Sequence, residues 1–318
     1  MLTRIAGRLP RPVRALLRGA RKRARSARYR LRERRDPTLL GSDEVAEALR
    51  QAGLGEGDAV FFQAAMSAFG SFEAGSASVI YGLERALGAG GLAAMPAFTL
   101  DATMQAYIER DLVFDARATP SRMGRVSEDF RCLDGTVRSV HPTHSVTARG
   151  AGATTLVAGS EATPVPFGEG TPFARLAELD AWQVFFGCGT GPMTIYHCFE
   201  CLRRPPFPLA VFAECVYEAR CLDLSGDELV MRTLAHDPRY VSGRIDSSPR
   251  IQAIYREAIL AGGGKCVSLG RGEIIAIRIS SLFEVFERLL GERQTIYEHD
   301  PDSTEAELTP QARALGDE

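Results

Sequence analysis

Long apolar runs are missing from this 318-residue chain. The longest stretch without Asp, Glu, Lys or Arg runs from Ala181 to Phe199, and Gly187, Gly189, Gly191 and Pro192 interrupt it. A bilayer-spanning helix needs about 20 consecutive apolar residues, so none is expected. The first apolar residues alternate with arginines, which leaves no secretory h-region. Cysteine is scarce, and its count of seven is odd and irregularly spaced. That excludes a fully paired disulfide scaffold and fits a reducing, cytoplasmic compartment. Several chemistries are missing too. No Gly-x-Ser-x-Gly elbow supplies an esterase nucleophile, and no Gly-Lys-Ser/Thr loop cradles a phosphate. Cys198 and Cys201 form one Cys-x-x-Cys without the second pair that a structural zinc site needs, so no metal is expected.

What is present describes a globular protein, with 45% hydrophobic and 25% charged residues. Its length can bury a full core in one large domain or two medium ones. The formal net charge of −2 conceals a strong polarity. Residues 1–36 carry fourteen Lys/Arg against Glu33 and Asp36, a surplus of +12, which leaves −14 for the remainder. From Glu292 onward the chain is polar and acidic, so the reading is a basic arm at 1–36, a domain at 37–291 and an acidic tail at 292–318. In the arm, Ile5, Leu9, Val13 and Leu16 fall at helical spacing between arginines, a pattern that suits an anionic membrane surface on the cytoplasmic side. Pro10 and Pro12 oppose a continuous helix, and a disordered, self-repelling tail reads equally well. No recognised module accompanies the arm to suggest nucleic-acid binding.

Periodicity in the body predicts alternating helices and strands. Ser42 reads as the cap of a helix carrying Val45 and Leu49. Asp58–Phe62, Gly91–Pro96 and Trp182–Phe186 read as buried strands. Ser76–Leu87, Pro172–Leu179, Thr194–Leu202, Pro249–Ala261 and Ser281–Leu290 read as helices, with a further run at Leu209–Tyr217. The expected fold class is α/β, a layered mixed sheet with flanking helices. Ligand sites in such sheets open from strand ends, and three junctions qualify: Gln63–Gly70, Met95–Asp101 and Gly187–Glu200.

Histidine is the side chain whose ordinary pKa, about 6.5, suits proton transfer near neutrality. His141 and His144 lie in His141-Pro-Thr-His144-Ser145, and His197 lies three residues before Glu200. On a helix, i and i+3 share a face, so this imidazole and carboxylate can enter one pocket. A buried packing histidine or a surface pair would produce the same spacing.

Taken in order, Met95-Pro-Ala-Phe-Thr99, Ser121-Arg-Met-Gly-Arg125, Arg138-Ser-Val-His-Pro-Thr-His-Ser145 and Pro166-Phe-Gly-Glu-Gly-Thr-Pro172 precede Ala174-Arg-Leu176, and Leu269-Gly-Arg-Gly272 precedes Leu282-Phe283. This series resembles the aminoglycoside 3-N-acetyltransferase family, antibiotic N-acetyltransferases outside the GNAT fold, from about Asp43 to Leu290. The resemblance implies transfer of an acetyl group from acetyl-CoA, as cosubstrate, to a primary amine of an aminoglycoside or related amino sugar. It implies His197, or else His144, as general base, with Glu200 or Glu169 orienting the ring. It places Ser67, Met95, Pro96, Phe98, Thr99 and Ser145 on the cofactor side. Two stretches depart from the family's pattern. Gln63-Ala64-Ala65 stands where a His-Ser-Ser is usual, and Gly189-Thr-Gly-Pro-Met193 replaces a polar Gly-His-Asp-Ser-Asn. These departures leave room for an acyltransferase of surface-polysaccharide or natural-product assembly, or for a lapsed relative that only binds.

Overall fold

The computed structural model describes residues 39–298. The basic arm and most of the acidic tail lie outside the described residues. Strand β1 (Leu39–Leu40) pairs in parallel with β3 (Ser71–Phe72) beside the main sheet. The centre of that sheet is β2 (Ala59–Ala64), whose first four residues, Ala59–Phe62, form an apolar run because both faces of the strand are covered. Phe61 enters one core, while Val60 and Phe62 enter the other. On either side of β2 lie β4 (Leu92–Pro96) and β8 (Trp182–Phe186), both parallel to it and with the same alternation. Phe185 joins Phe61, and Val184 and Phe186 join the opposite core.

Antiparallel strands complete the sheet. Beyond β4 lie β7 (Val146–Gly150) and β6 (Val137–Arg138); beyond β8 lie β12 (Gly272–Arg278) and β11 (Lys265–Leu269). Helices α1 (Ser42–Gln51), α2 (Ser76–Leu87) and α4 (Arg125–Arg131) supply Leu49, Leu83 and Phe130 to the Val60 face. The Phe61 face is covered by α5 (Ala153–Val157), α6 (Pro172–Glu178), α7 (Ile195–Leu202), α9 (Pro249–Ala261) and α10 (Ile279–Gly291). The remaining short helices are α3 (Met104–Ile108) and α8 (Pro238–Ser242). The layered α/β expectation therefore holds.

Three details differ from the sequence reading. Ser42 is the first helical residue of α1 rather than its cap; Gly41 precedes it, and the Glu44 carboxylate accepts the Gly41 N–H at 3.0 Å. The run at Leu209–Tyr217 becomes β9 (Phe212–Leu222), which turns back as β10 (Glu228–His236), a strand the sequence reading did not place. Asp223 Oδ1 makes that turn by accepting the N–H groups of Ser225, Gly226 and Asp227. Together with β5 (Phe114–Asp115), parallel to β9, the hairpin forms a second sheet. Finally, the folded body continues past 291. Arg244 pairs with Tyr297, the Ile245 N–H donates to Ile296 O at 2.8 Å, and Thr295, Ile296 and Tyr297 are buried. Burying Ile296 and Tyr297 favours docking of this segment more strongly than its polar composition suggested. Among the described residues no helix is long and apolar enough to cross a membrane.

Candidate active site

Because β2, β4 and β8 are parallel, their carboxyl ends share one edge, and the three expected junctions all leave from it. The chain leaves β8 through Gly187 at φ +69, where a Cβ would lie 2.4 Å from the Phe69 ring and 2.9 Å from Ala65 O. Only glycine permits that approach. Thr190 then donates to Gln252 O at 2.9 Å, and α7 begins at Ile195.

Helical spacing brings His197 and Glu200 together as expected. His197 Nδ1 lies 2.7 Å from Glu200 Oε2, with both residues buried. The other ring nitrogen, Nε2, lies 3.3 Å from Arg244 Nη1, and Arg244 also pairs with Asp246. A guanidinium only donates, so Nε2 must present its lone pair and Nδ1 must carry the hydrogen that Glu200 accepts. This tautomer follows from the partners.

All four histidines among the described residues converge here. The His236 ring, at the end of β10, lies 4.5 Å from the His197 ring and stacks on Phe212 at 4.7 Å. Phe167 lies between His144 and His197, 4.9 and 5.1 Å from their rings. His141 organises its own turn: Nδ1 accepts the N–H groups of Thr143 and His144 at 3.2 and 3.0 Å. Burial lowers the pKa of each ring, that of His141 to about 3, and Arg244 depresses His197 further. Burial raises Glu200 to about 8, opposed by the Tyr297 hydroxyl and Arg244. Glu200 Oε1 and His236 Nε2 are buried without a hydrogen-bond partner among the described residues. His197, Glu200 and His236 bring ligand atoms within 4.8 Å of one another, the spacing of a cation site, but the Arg244 guanidinium stands against the same imidazole.

Glu169 does not reach this cluster. Thr171 caps the Gly168 carbonyl at 2.6 Å, and Glu169 projects from that turn into solvent, 3.4 Å from the exposed Arg204. The cofactor-side residues also divide. Ser67 is exposed just beyond β2, whereas Met95, Pro96, Phe98, Thr99 and Ser145 are buried. The hydroxyls of Thr99 and Ser145 are already donated to Pro142 O and Ala97 O, at 2.5 and 2.8 Å. These residues hold the 95–99 loop against the 138–147 hairpin.

Arg138 locks that junction. Its guanidinium donates to Ser145 Oγ, Thr119 O and Ala97 O at 3.0, 2.5 and 2.6 Å, and lies 4.8 Å over the Phe114 ring. Burial lowers its pKa to about 9. Arg138→Met leaves these buried acceptors unpaired, and the expected loss in urea unfolding is about 3–5 kcal/mol. Arg138→Lys keeps the charge without the planar fork and should recover less than half of it. A loss below about 1 kcal/mol for the methionine variant would remove the locking role.

Comparison with known proteins agrees with this architecture. The family model described as aminoglycoside 3-N-acetyltransferase matches residues 61–291. This chain belongs to that family. Aminoglycoside N(3)-acetyltransferase VII of Streptomyces paromomycinus is 31% identical over 175 residues, 51% of this chain and 60% of that relative. Aminoglycoside N(3)-acetyltransferase IV of Salmonella sp is 29% identical over 168 residues, 52% and 60% of the two chains. The alignments thus span about half of this chain and less than two-thirds of these relatives. Among solved structures, aminoglycoside acetyltransferase AAC(3)-Xa superposes with a TM-score of 0.70 at 24% identity, over 85% of this chain and 99% of that one. AAC-IIIb, solved as a binary complex with CoASH, gives 0.67 at 22% identity over 82% and 100%. At those identities the superpositions establish a shared fold.

Within this member of the aminoglycoside 3-N-acetyltransferase family, each of the two departures contributes a buried side chain, Gln63 and Met193. Gln63 donates to Thr194 Oγ1 at 3.3 Å and accepts from Gln183 at 3.1 Å, which ties β2 to the start of α7. Met193 is buried in the core under α7. Sequence reasoning missed His236, Arg244, Asp246 and Tyr297. The strand-like alternation of 228–235 signals β10 and so the region of His236; Arg244, Asp246 and Tyr297 carry no local signal.

Proposed function

We propose that the protein is an N-acetyltransferase that moves an acetyl group from acetyl-CoA to a primary amine of an aminoglycoside or related amino sugar, with His197 as general base. The observation that carries this reading is the His197 tautomer: Glu200 receives the Nδ1 hydrogen, so the lone pair that can take a proton is on Nε2, where it faces the Arg244 guanidinium. An aliphatic amine is mostly protonated at neutral pH and must lose a proton to attack a thioester carbonyl. Nε2 takes one proton from the ammonium, which frees the nitrogen lone pair to attack the carbonyl carbon. The carbon–sulfur bond then breaks, the second proton leaves the nitrogen for the departing coenzyme A thiolate, and the imidazolium returns the first to solvent. The growing imidazolium charge is balanced by Glu200 in its ionised form, which burial shifts toward pH 8 and above, so the two titrate as a pair. His144 is the weaker candidate, because its Nδ1 meets the Thr143 hydroxyl at 2.9 Å rather than a carboxylate. No metal enters the scheme, since a divalent ion beside His197 would face the Arg244 charge.

A thiol-release assay with acetyl-CoA tests the proposal against a panel of aminoglycosides and nucleotide amino sugars. Acceptor-dependent thiol release is expected with at least one amine. No release from any acceptor, together with no thermal shift at millimolar acetyl-CoA, would favour a lapsed relative that binds something else. Glu169→Ala should leave kcat and KM within about twofold, as expected for an exposed pair; a loss beyond tenfold would return Glu169 to the site.

A further inference from the structure

The lone pair that the proposed reaction needs is already occupied. Arg244 Nη1 sits 3.3 Å from His197 Nε2, and Nη2 pairs with Asp246. The Arg244 side chain is 33% exposed and that of Asp246 15%, so the guanidinium lies between the buried ring and solvent. The backbone beneath it is fastened on both sides. Ile245 N–H donates to Ile296 O at 2.8 Å, and Gln252 donates to Asp246 O at 3.2 Å. Asp246 is therefore held in place, while the long arginine side chain can swing outward about its own bonds.

We propose that Arg244 is a built-in stand-in for the acceptor: its guanidinium occupies the place against His197 Nε2 that a protonated amino group takes, and Asp246 holds whichever cation is there. The proposal rests on reading His197 as the base. A guanidinium and an alkylammonium share a positive charge and several N–H donors, so one can replace the other without leaving Asp246 unpaired. They differ in one respect. The guanidinium does not release its proton, whereas an ammonium beside Nε2 does. Arg244 is thus an inert occupant that covers the base, and an acceptor amine is a reactive one. The acceptor class that follows is an aliphatic amine arriving as its ammonium. A weakly basic aromatic amine would have to break the Arg244–Asp246 pair and supply no cation in return.

The charged and titratable groups around His197 are Glu200 on its own helix, His236 from β10, Arg244 and Asp246 from the loop, and His144 beyond His236. Arg244 lowers the His197 pKa and Asp246 raises it. Arg244→Ala and Asp246→Asn should therefore shift the acidic limb of kcat/KM in opposite directions, to higher pH for the first and lower pH for the second. Removing the occupant should lower the acceptor KM about tenfold while kcat is kept, because the open state no longer has to be won from Arg244. Asp246→Asn should raise that KM by a similar factor.

The second readout needs no acetyl transfer. Carbethoxylation of His197 by diethyl pyrocarbonate, mapped by mass spectrometry on the full-length protein, should quicken about tenfold in Arg244→Ala at neutral pH. If the wild type acetylates nothing but this acceleration appears, the functional reading fails and the occupant survives. An Arg244→Ala protein that is folded yet modified at the wild-type rate would overturn the occupant. So would a raised acceptor KM or a lost kcat in that variant, since Arg244 would then be assisting the substrate.

Discussion

Replacing His197 by alanine is expected to lower kcat for acetyl transfer by about 10²–10⁴-fold, the usual contribution of a positioned acid–base group. The expectation follows from the ring's two partners: Glu200 fixes the hydrogen on Nδ1, and only Nε2 is left to accept. Glu200→Gln keeps an acceptor for Nδ1 but cannot balance the imidazolium. Its loss should be smaller than that of the alanine variant but still above about tenfold. Both proteins should retain a cooperative thermal transition and an acetyl-CoA-dependent shift in Tm. His197→Ala retaining kcat within about threefold would end the base assignment, and His144 would be the next residue to test.

Stability below neutral pH should fall steeply, and the reason is the same cluster. His141, His144, His197 and His236 are held neutral by burial. An unfolded chain protonates each of them below about 6.5, so each removes stability as pH falls from there toward its depressed folded value. Glu200 acts in the opposite sense. Raised to about 8, it keeps in the fold a proton that the unfolded chain has released above about 4.5. Its contribution therefore improves as pH falls from 8 to 4.5. Between about pH 4.5 and 6 the four rings draw protons to the unfolded state and Glu200 offsets part of that draw, so stability falls as pH is lowered. Urea midpoints measured at intervals from pH 7 to 5 will show it. His236→Phe removes one of these neutral rings, whose Nε2 has no hydrogen-bond partner among the described residues, and should make the slope shallower. A flat profile in the wild type would mean that these rings are not neutral in the fold.

The central layer was legible because buried parallel strands leave continuous apolar runs. Trp182–Phe186 and Pro249–Ala261 are observed with the expected bounds. The His197–Glu200 pair was legible because one helix determines its geometry. His236 was not, because the β10 register shifts between Leu234 and His236, so Ala235 and His236 are both buried and the alternation fails at the residue that matters. Arg244 meets His197 across 47 residues, and its segment is positioned by pairing with Tyr297, so nothing local announces it. Glu169 was misplaced because a motif fixes residue order and not direction; the Gly168–Thr171 turn faces it outward.

The strand order has a consequence for how the protein is made. Among the described residues the edge of β8 is closed by β12 alone, and Arg278 at the end of that strand bonds Asp58 Oδ1 at 2.8 Å, 220 residues earlier in the chain. A nascent polypeptide leaving the ribosome therefore carries most of the sheet before the partner for that edge has been synthesised. During this interval an apolar strand stands open to pairing with other chains. Truncations ahead of residue 272 are expected to lower the soluble fraction of the protein, which fractionated lysates would show.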